Sequence, residues 1–360
     1  MFNFTSDLEI VVIILILTAL FFMGLTPREC NDSSRWTIDK NYSSLLKAFG
    51  CIFVLIGHYE ANVHLNSGDI TKFGGIVYCT TANIGLVWFM FISGYGLSVS
   101  QKSNSLLPQT INRLQKVYLP LLFVSVLTIL LYLVLPAFDE DYSIRYTIPR
   151  LYHIMHNISE QNYVDILFGG LGIIDWYVMC IMMFYVIFYI ARFLSRISAP
   201  LLGNQGETVF LFSLLFVYYL LAFHIAGAEN AHYYRLTWSF LFGHLLARYS
   251  VLSRRLIILC IVGGLATFYF EHYTIIFSFI VAIIGLYICI LLNRTKTYSK
   301  GLLLSLGSIS YFFYLSHERM TWVLVNLFGF HDVIIWILVT ILVSVLCKSL
   351  YDMVSNRLKL

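Results

Sequence analysis

The chain has 360 residues, of which 59% are hydrophobic and only 12% charged, and its mean hydropathy is +0.80. A soluble domain carries about 25% charge, so the composition excludes a soluble enzyme and predicts an all-α polytopic membrane protein. The net charge of +4 names no partner by itself; membrane lipid is expected around the chain, and no nucleic acid.

A run of about 17–25 apolar residues crosses a bilayer. Eleven such spans are predicted, at about 10–26, 44–60, 77–99, 117–137, 175–193, 208–226, 234–249, 255–270, 274–292, 302–326 and 333–354. The first lacks the basic flank and small-residue cleavage site of a signal peptide, so it is expected to remain as a helix. The largest loop, about 138–174, carries Asp139-Glu140-Asp141 and the Gly-rich stretch Phe168-Gly169-Gly170-Leu171-Gly172. Internal repeats and low-complexity tracts are absent from the sequence. Its seven cysteines are scattered without a C-x-x-C pair, which argues against a disulfide framework and a metal site.

Lys and Arg mark cytoplasmic loops. One alternate set of loops holds Arg28, Arg35, Lys40, Lys102, Arg113, Lys116, Arg192, Arg196, Arg248, Arg254, Arg255, Arg294, Lys296, Lys300, Lys348, Arg357 and Lys359. The opposite set holds Lys72, Arg145, Arg150 and Arg235. The N-terminus is then expected outside and the C-terminus in the cytoplasm.

Within the second span, Lys47 and His58 are eleven residues apart. Eleven residues are about three helical turns, roughly 16 Å, and return both side chains to one face. An ionisable group at membrane depth is a functional hypothesis by default. The bland readings are a lysine snorkelling to the cytoplasmic surface and a histidine bonded to a neighbouring helix. In the tenth span Ser310, Tyr314 and His317 share one stripe by their four- and three-residue spacings. His317 lies at about the height of His58, and Trp176 and Arg235 open their spans on the outer side. Glu60, two residues beyond His58, is a candidate on the acceptor side or a rim charge facing water. Ser93-Gly94 is either a small-residue packing site or part of a channel. The H-x4-D pattern at His64 and Asp69, used by some glycerolipid acyltransferases, falls in an outer loop and is set aside.

Four segments carry a family resemblance. Lys47 and His58 match a basic-residue-x10-His signature. Gly85-Leu86-Val87-Trp88-Phe89-Met90-Phe91-Ile92-Ser93-Gly94-Tyr95 is similar to G-V-x-x-F-F-x-x-S-G-F/Y. Asn112-Arg113-Leu114-Gln115-Lys116-Val117-Tyr118-Leu119-Pro120 is similar to R-R-x-x-R-x-x-x-P, and Leu306-Gly307-Ser308-Ile309-Ser310-Tyr311-Phe312-Phe313-Tyr314-Leu315-Ser316-His317 to L-G-x-x-S-Y-x-x-Y-L-x-H. Trp176-Tyr177-Val178 is a weaker fifth match. Taken in order, over about residues 44–345, they resemble the membrane acyltransferase-3 family. The chain departs from it at Lys47, where the family usually has Arg, and at Asn112 and Lys116; a lysine keeps the charge and loses the bidentate fork that suits phosphate.

The resemblance implies a ten-helix domain over 44–360, preceded by an added helix and cytoplasmic loop over 1–43. It implies transfer of an acyl group, commonly acetyl, from cytoplasmic acyl-CoA to a hydroxyl of a cell-envelope glycan, in a bacterial plasma membrane. His58 would be the general base or an acyl carrier, with His317 assisting proton transfer or orienting the acceptor. Lys47, Ser93, Arg113 and Lys116 would serve the acyl-CoA, and Glu60, Trp176, Arg235, Ser310 and Tyr314 the acceptor. Two rivals remain at this level: a glycan or lipid-precursor transporter, against which the missing repeat halves and broken helices argue, and the other large family of membrane-bound O-acyltransferases.

Overall fold

The computed structural model describes residues 6–27, 38–61, 71–100, 106–134, 176–199, 203–226, 234–249, 273–298, 301–328 and 331–358. In chain order the elements are α1 (Ser6–Met23), β1 (Leu25–Pro27), α2 (Lys40–Tyr59), α3 (Lys72–Val99), α4 (Leu106–Val134), α5 (Trp176–Ile197), a 3-10 turn (Gly203–Gln205), α6 (Gly206–Ala226), α7 (Thr237–Tyr249), α8 (Tyr273–Thr295), β2 (Lys296–Tyr298), α9 (Leu302–Phe328) and α10 (Val333–Leu358). Apart from one pair of three-residue strands, the described residues are helical. A helix stands at each predicted span except 255–270, which lies outside the described residues, as do the 138–174 loop and the His64–Asp69 pair. Among the described residues α2, α3, α5, α6 and α10 are long and apolar enough to cross a membrane. Helix α2 ends at Tyr59, so Glu60 caps it as the first residue beyond the span.

The described chain divides into two compact units, Met1–Gln101 with Trp238–Leu360, and Lys102–Thr237. In the first unit α2 is the axis, packed between α3 and α9. It starts where Asp39 accepts the Tyr42 amide at 2.9 Å, the N-cap bond that satisfies one orphan donor of a helix end. Both faces of α2 lie close to their neighbours. A Cβ on Gly85 of α3 would stand 2.5 Å from the Gly50 carbonyl oxygen, and one on Gly307 of α9 would stand 2.2 Å from that of Ser44. Only residues without side chains allow backbones so near, the small-residue rule of membrane helices. On its far side α3 is tied to α8 by Trp88 Nε1 donating to Ala282 at 2.9 Å, and to α7 by Ser239 Oγ donating to Val87 at 2.6 Å.

Helix α1 is anchored at its C-terminal end by a small clasp. Strands β1 and β2 pair antiparallel. The Tyr298 hydroxyl donates to the Leu20 carbonyl at 3.1 Å, its ring stacks on Phe21 with centroids 6.3 Å apart, and Asn41 Nδ2 donates to the Tyr298 carbonyl at 2.6 Å. The clasp joins α1, α2 and the approach to α9, pairings that satisfy backbone groups where the helices stop.

The second unit is built on α4, α5 and α6. Arg192 Nη1 donates to Gln109 Oε1 at 3.3 Å between α5 and α4. Phe184 and Tyr218 meet edge to face at 5.3 Å between α5 and α6. Tyr234 packs edge-on against Tyr219 and Phe223 of α6 at 5.1 and 5.7 Å.

Candidate active site

Helices α2 and α9 run side by side in the same direction and in register. The Cys51 thiol donates to the Ser310 carbonyl at 3.1 Å. Seven residues further along each helix, His58 meets His317, with ring centroids 4.9 Å apart and planes at 75°. Seven residues are close to two helical turns, so both contacts belong to one seam. The adjacency of these two helices, which the sequence left open, is what unites the histidines.

The two rings differ in setting. His58 is half-buried. His317 is only 2% exposed. Its Nδ1 hydrogen-bonds the Tyr314 carbonyl. A carbonyl only accepts, so Nδ1 carries a proton, and in the neutral ring this tautomer makes Nε2 the basic nitrogen. The next residue back, Ser316, exchanges a hydrogen bond of 2.9 Å with Ser344 of α10, which holds the turn from behind. Tyr314 places its ring 5.3 Å from that of His317 and 6.1 Å from Phe89 of α3. Phe89 in turn lies against Gly50, whose Cβ would be 3.2 Å from the phenyl edge. The α2–α3–α9 junction therefore carries two imidazoles, a phenol and a phenyl ring together.

Lys47 is half-buried on α2, on the stripe of Cys51 and His58. Ser310 is buried one turn before Tyr314. The structure thus brings His58, His317, Tyr314 and Ser310 into one seam, with Lys47 three turns down it.

Other predicted residues are placed elsewhere. Ser93 is half-buried on α3. Its neighbour Gly94 belongs to a helix crossing: a Cβ there would stand 2.1 Å from the Phe240 carbonyl, and one on Gly243 would stand 2.0 Å from that of Phe91. Of the two readings of Ser93-Gly94, packing describes the glycine. Glu60 is turned away from the histidines, because two residues rotate a helix by about 200°. It is 1% exposed, lies against Gly74 in the first turn of α3, and is close enough to Asp7 of α1 to feel its charge.

Arg113 and Lys116 lie on α4 in the second unit, where Arg113 hydrogen-bonds Tyr189 of α5. Beside them a shallow cleft of about 300 Å³ is lined by Ile111, Leu114, Gln115, Tyr118, Leu119 and Met182; it presents no ionisable cation or carboxylate. Arg235 is half-buried in the turn before α7. The Trp176 side chain lies outside the described residues. Among the described residues no three His, Cys, Asp or Glu side chains converge in a way that could hold a metal ion.

Three partners were missed from the sequence. Cys51, one of the scattered cysteines, joins the seam; its place four residues after Lys47, on the same stripe, was the available signal. His244 is fully buried on α7 and bonds Ser98 of α3 at 2.8 Å. Asp7 stands opposite Glu60, and no local pattern marks it.

The family described as an acyltransferase domain matches residues 40–351. No match is found among curated proteins or among solved structures. The matched stretch begins with α2 and reaches into α10, so it contains the whole histidine seam and leaves α1 outside.

Proposed function

Because the chain belongs to the membrane acyltransferase-3 family, we propose that it transfers an acyl group, acetyl first among candidates, from cytoplasmic acyl-CoA to a hydroxyl of a cell-surface or lipid-linked glycan. The observation that carries this reading is the His58–His317 pair, set on parallel, in-register helices with a cation three turns below.

The chemistry asks for a group that accepts a proton at neutral pH, and an imidazole is suited to it. His58, the more accessible ring, takes the acceptor hydroxyl's proton as its oxygen bonds to the thioester carbonyl carbon. The carbon–sulfur bond then breaks, and the leaving thiolate recovers a proton from the imidazolium. His317 supports the step: its tautomer is fixed by the Tyr314 carbonyl, so a basic nitrogen remains beside His58 to steady the imidazolium. Tyr314 and Ser310, with Trp176 and Arg235, are proposed to shape the acceptor side. Lys47, Arg113 and Lys116 are proposed to hold the donor phosphates by charge-assisted bonds, and Ser93 to line the donor path.

The reading includes a bacterial plasma-membrane location, eleven spans, an N-terminus outside and a C-terminus in the cytoplasm. The common direction of α2 and α9 fits their even places in that count. Division into an added segment, 1–43, and a ten-helix domain, 44–360, belongs to the same proposal.

The test is acyl transfer by the purified protein in lipid discs, with labelled acetyl-CoA and a glycan extract from the host. Label in the glycan with wild type and none with folded His58→Ala supports the reaction and the role of His58. Label with both removes His58 from the centre. Silence in both, with succinyl and longer acyl donors silent too, favours transport.

A further inference from the structure

Besides the histidine pair, α2 takes part in a second meeting of like groups, at its C-terminal end. Glu60 and Asp7 are each 1% exposed. Asp7 Oδ1 accepts from the Thr71 hydroxyl at 3.1 Å, and Thr71, the N-cap of α3, accepts the Gly74 amide at 2.8 Å. Glu60 Oε2 lies 2.5 Å from where a Gly74 Cβ would be, and that Cβ would be 3.2 Å from Thr71 Oγ1. Glycine at this position leaves room for the Glu60 carboxyl. Glu60 Oε1 is buried without a hydrogen-bond partner.

The surroundings add no positive charge that the structure describes. On α1 the other acid is Glu9, which faces Asp332 and the Val333 amide at the start of α10. On α2 the neighbour is Tyr59, whose hydroxyl donates to the His331 carbonyl at 2.6 Å. On α9 Glu318 is exposed, and the side chains of Arg319 and of Lys72 on α3 lie outside the described residues. A buried carboxylate near a second one is disfavoured in its charged form by burial and by the like charge together. A bound calcium would need six to eight oxygens, whereas the described side-chain oxygens here are those of two carboxyls and of one hydroxyl, the hydroxyl already engaged as donor and acceptor.

We propose that Glu60, buried near Asp7, keeps a proton in the folded chain, and that this proton fastens the N-terminal end of α1 to α2 and α3. Burial, and next the Asp7 carboxylate, push the Glu60 carboxyl up to about 7, which agrees with the geometry. A helix outside the family-matched region is thereby docked in a proton-dependent way, at a residue two positions from His58. The inference does not depend on the proposed reaction.

The experiment uses the full chain in lipid discs between pH 5 and 8.5. Its readouts are the thermal midpoint and the rate at which a Cys placed at buried Ile10 (Ile10→Cys) is alkylated, counted by mass spectrometry. Both are compared between the native background and Glu60→Gln, in which the amide stands for the protonated acid and the thiol's own titration cancels. At pH 8 the native background should label position 10 several-fold faster than Glu60→Gln, and the gap should narrow steadily as pH falls toward 5. The midpoint of the native chain should fall as pH rises, and that of Glu60→Gln should stay level. Asp7→Asn should make the slope shallower without removing it, because burial of Glu60 remains. A flat native profile, or an equal effect of Glu60→Gln at every pH, overturns the proposal. So does a Lys72→Gln variant that flattens the profile alone, since lysine would then balance the charge. A midpoint raised by calcium or magnesium over EDTA, and lost in Glu60→Gln, overturns it in favour of a metal ion.

Discussion

His58 on α2 and Glu60 at its C-cap are two residues apart and look in nearly opposite directions, and each has a group of its own kind nearby. The histidine pair and the carboxyl pair nevertheless pose opposite electrostatic problems. A neutral imidazole offers one donor and one acceptor, so two can sit together at membrane depth without a net charge. Two carboxylates acquire that balance only by keeping a proton. The first pair is therefore suited to passing a proton and the second to holding one.

The comparison breaks most sharply at His58. His58→Ala should lower acyl transfer by about 10²–10⁴-fold, the usual contribution of a general base, and leave the thermal midpoint almost unchanged, because the ring is half-buried. Labelled-acetyl counting with a melting curve on the same sample checks both. His317→Gln keeps a hydrogen-bonding side chain but cannot take a proton. It should cost about 10²-fold, the scale of a misplaced catalytic group, in kcat with little change in the donor KM. A loss confined to KM would make His317 an acceptor-binding residue and end its proton role.

Lys47 tests the far end of the stripe. Lys47→Ala should raise the acyl-CoA KM about tenfold, corresponding to one charge-assisted hydrogen bond, with kcat nearly constant. Lys47→Arg should keep or improve the KM, because its fork suits phosphate. Steady-state kinetics over acyl-CoA concentration separate these outcomes from simple snorkelling, for which both variants would behave as wild type.

Much of this was legible in the chain. Apolar runs mark the helices, because length and hydropathy are properties of a single segment. The Lys47–His58 stripe follows from helical period alone. What brings His317 to His58 is different in kind: Gly307 against Ser44 and Cys51 against Ser310 join segments more than 250 residues apart, and no local pattern states who the neighbour is. Glu60 shows the same limit. Its rotation away from His58 could have been computed from the period, but the acid waiting behind it, Asp7, belongs to another helix. The β1–β2 clasp escaped because three-residue strands are too short to show an alternation.

The carboxyl pair predicts a smaller effect with a definite sign. Glu60 binds its proton more tightly in the folded chain than in the unfolded one, where the ordinary value is 4.5. Below that value both states are protonated and the full stability is present. Between about 4.5 and about 7 unfolding releases the proton, so stability falls as pH rises, and above about 7 it levels off. Thermal midpoints at half-unit intervals should trace that slope; a midpoint that rises through the window would mean that the ionised carboxylate is the stabilising form.

The smallest effect sharpens the comparison at the opposite end of α1, where nothing needs a proton to be neutral. Tyr298→Phe removes the hydroxyl that donates to Leu20 and keeps the ring stacked on Phe21. One neutral hydrogen bond contributes about 0.5–1.5 kcal/mol. The Leu20 carbonyl still accepts the Gly24 amide at 3.3 Å, so the variant leaves it satisfied and the loss should fall toward the lower end. It should also be the same at pH 5 and pH 8, since neither group titrates in that range. If α1 is held by a neutral clasp at one end and a proton at the other, Tyr298→Phe lowers the whole midpoint profile without changing its shape, and Glu60→Gln changes its shape. A Tyr298→Phe profile that lost its slope would mean that the two ends of α1 are coupled, with the clasp governing whether Glu60 is buried at all.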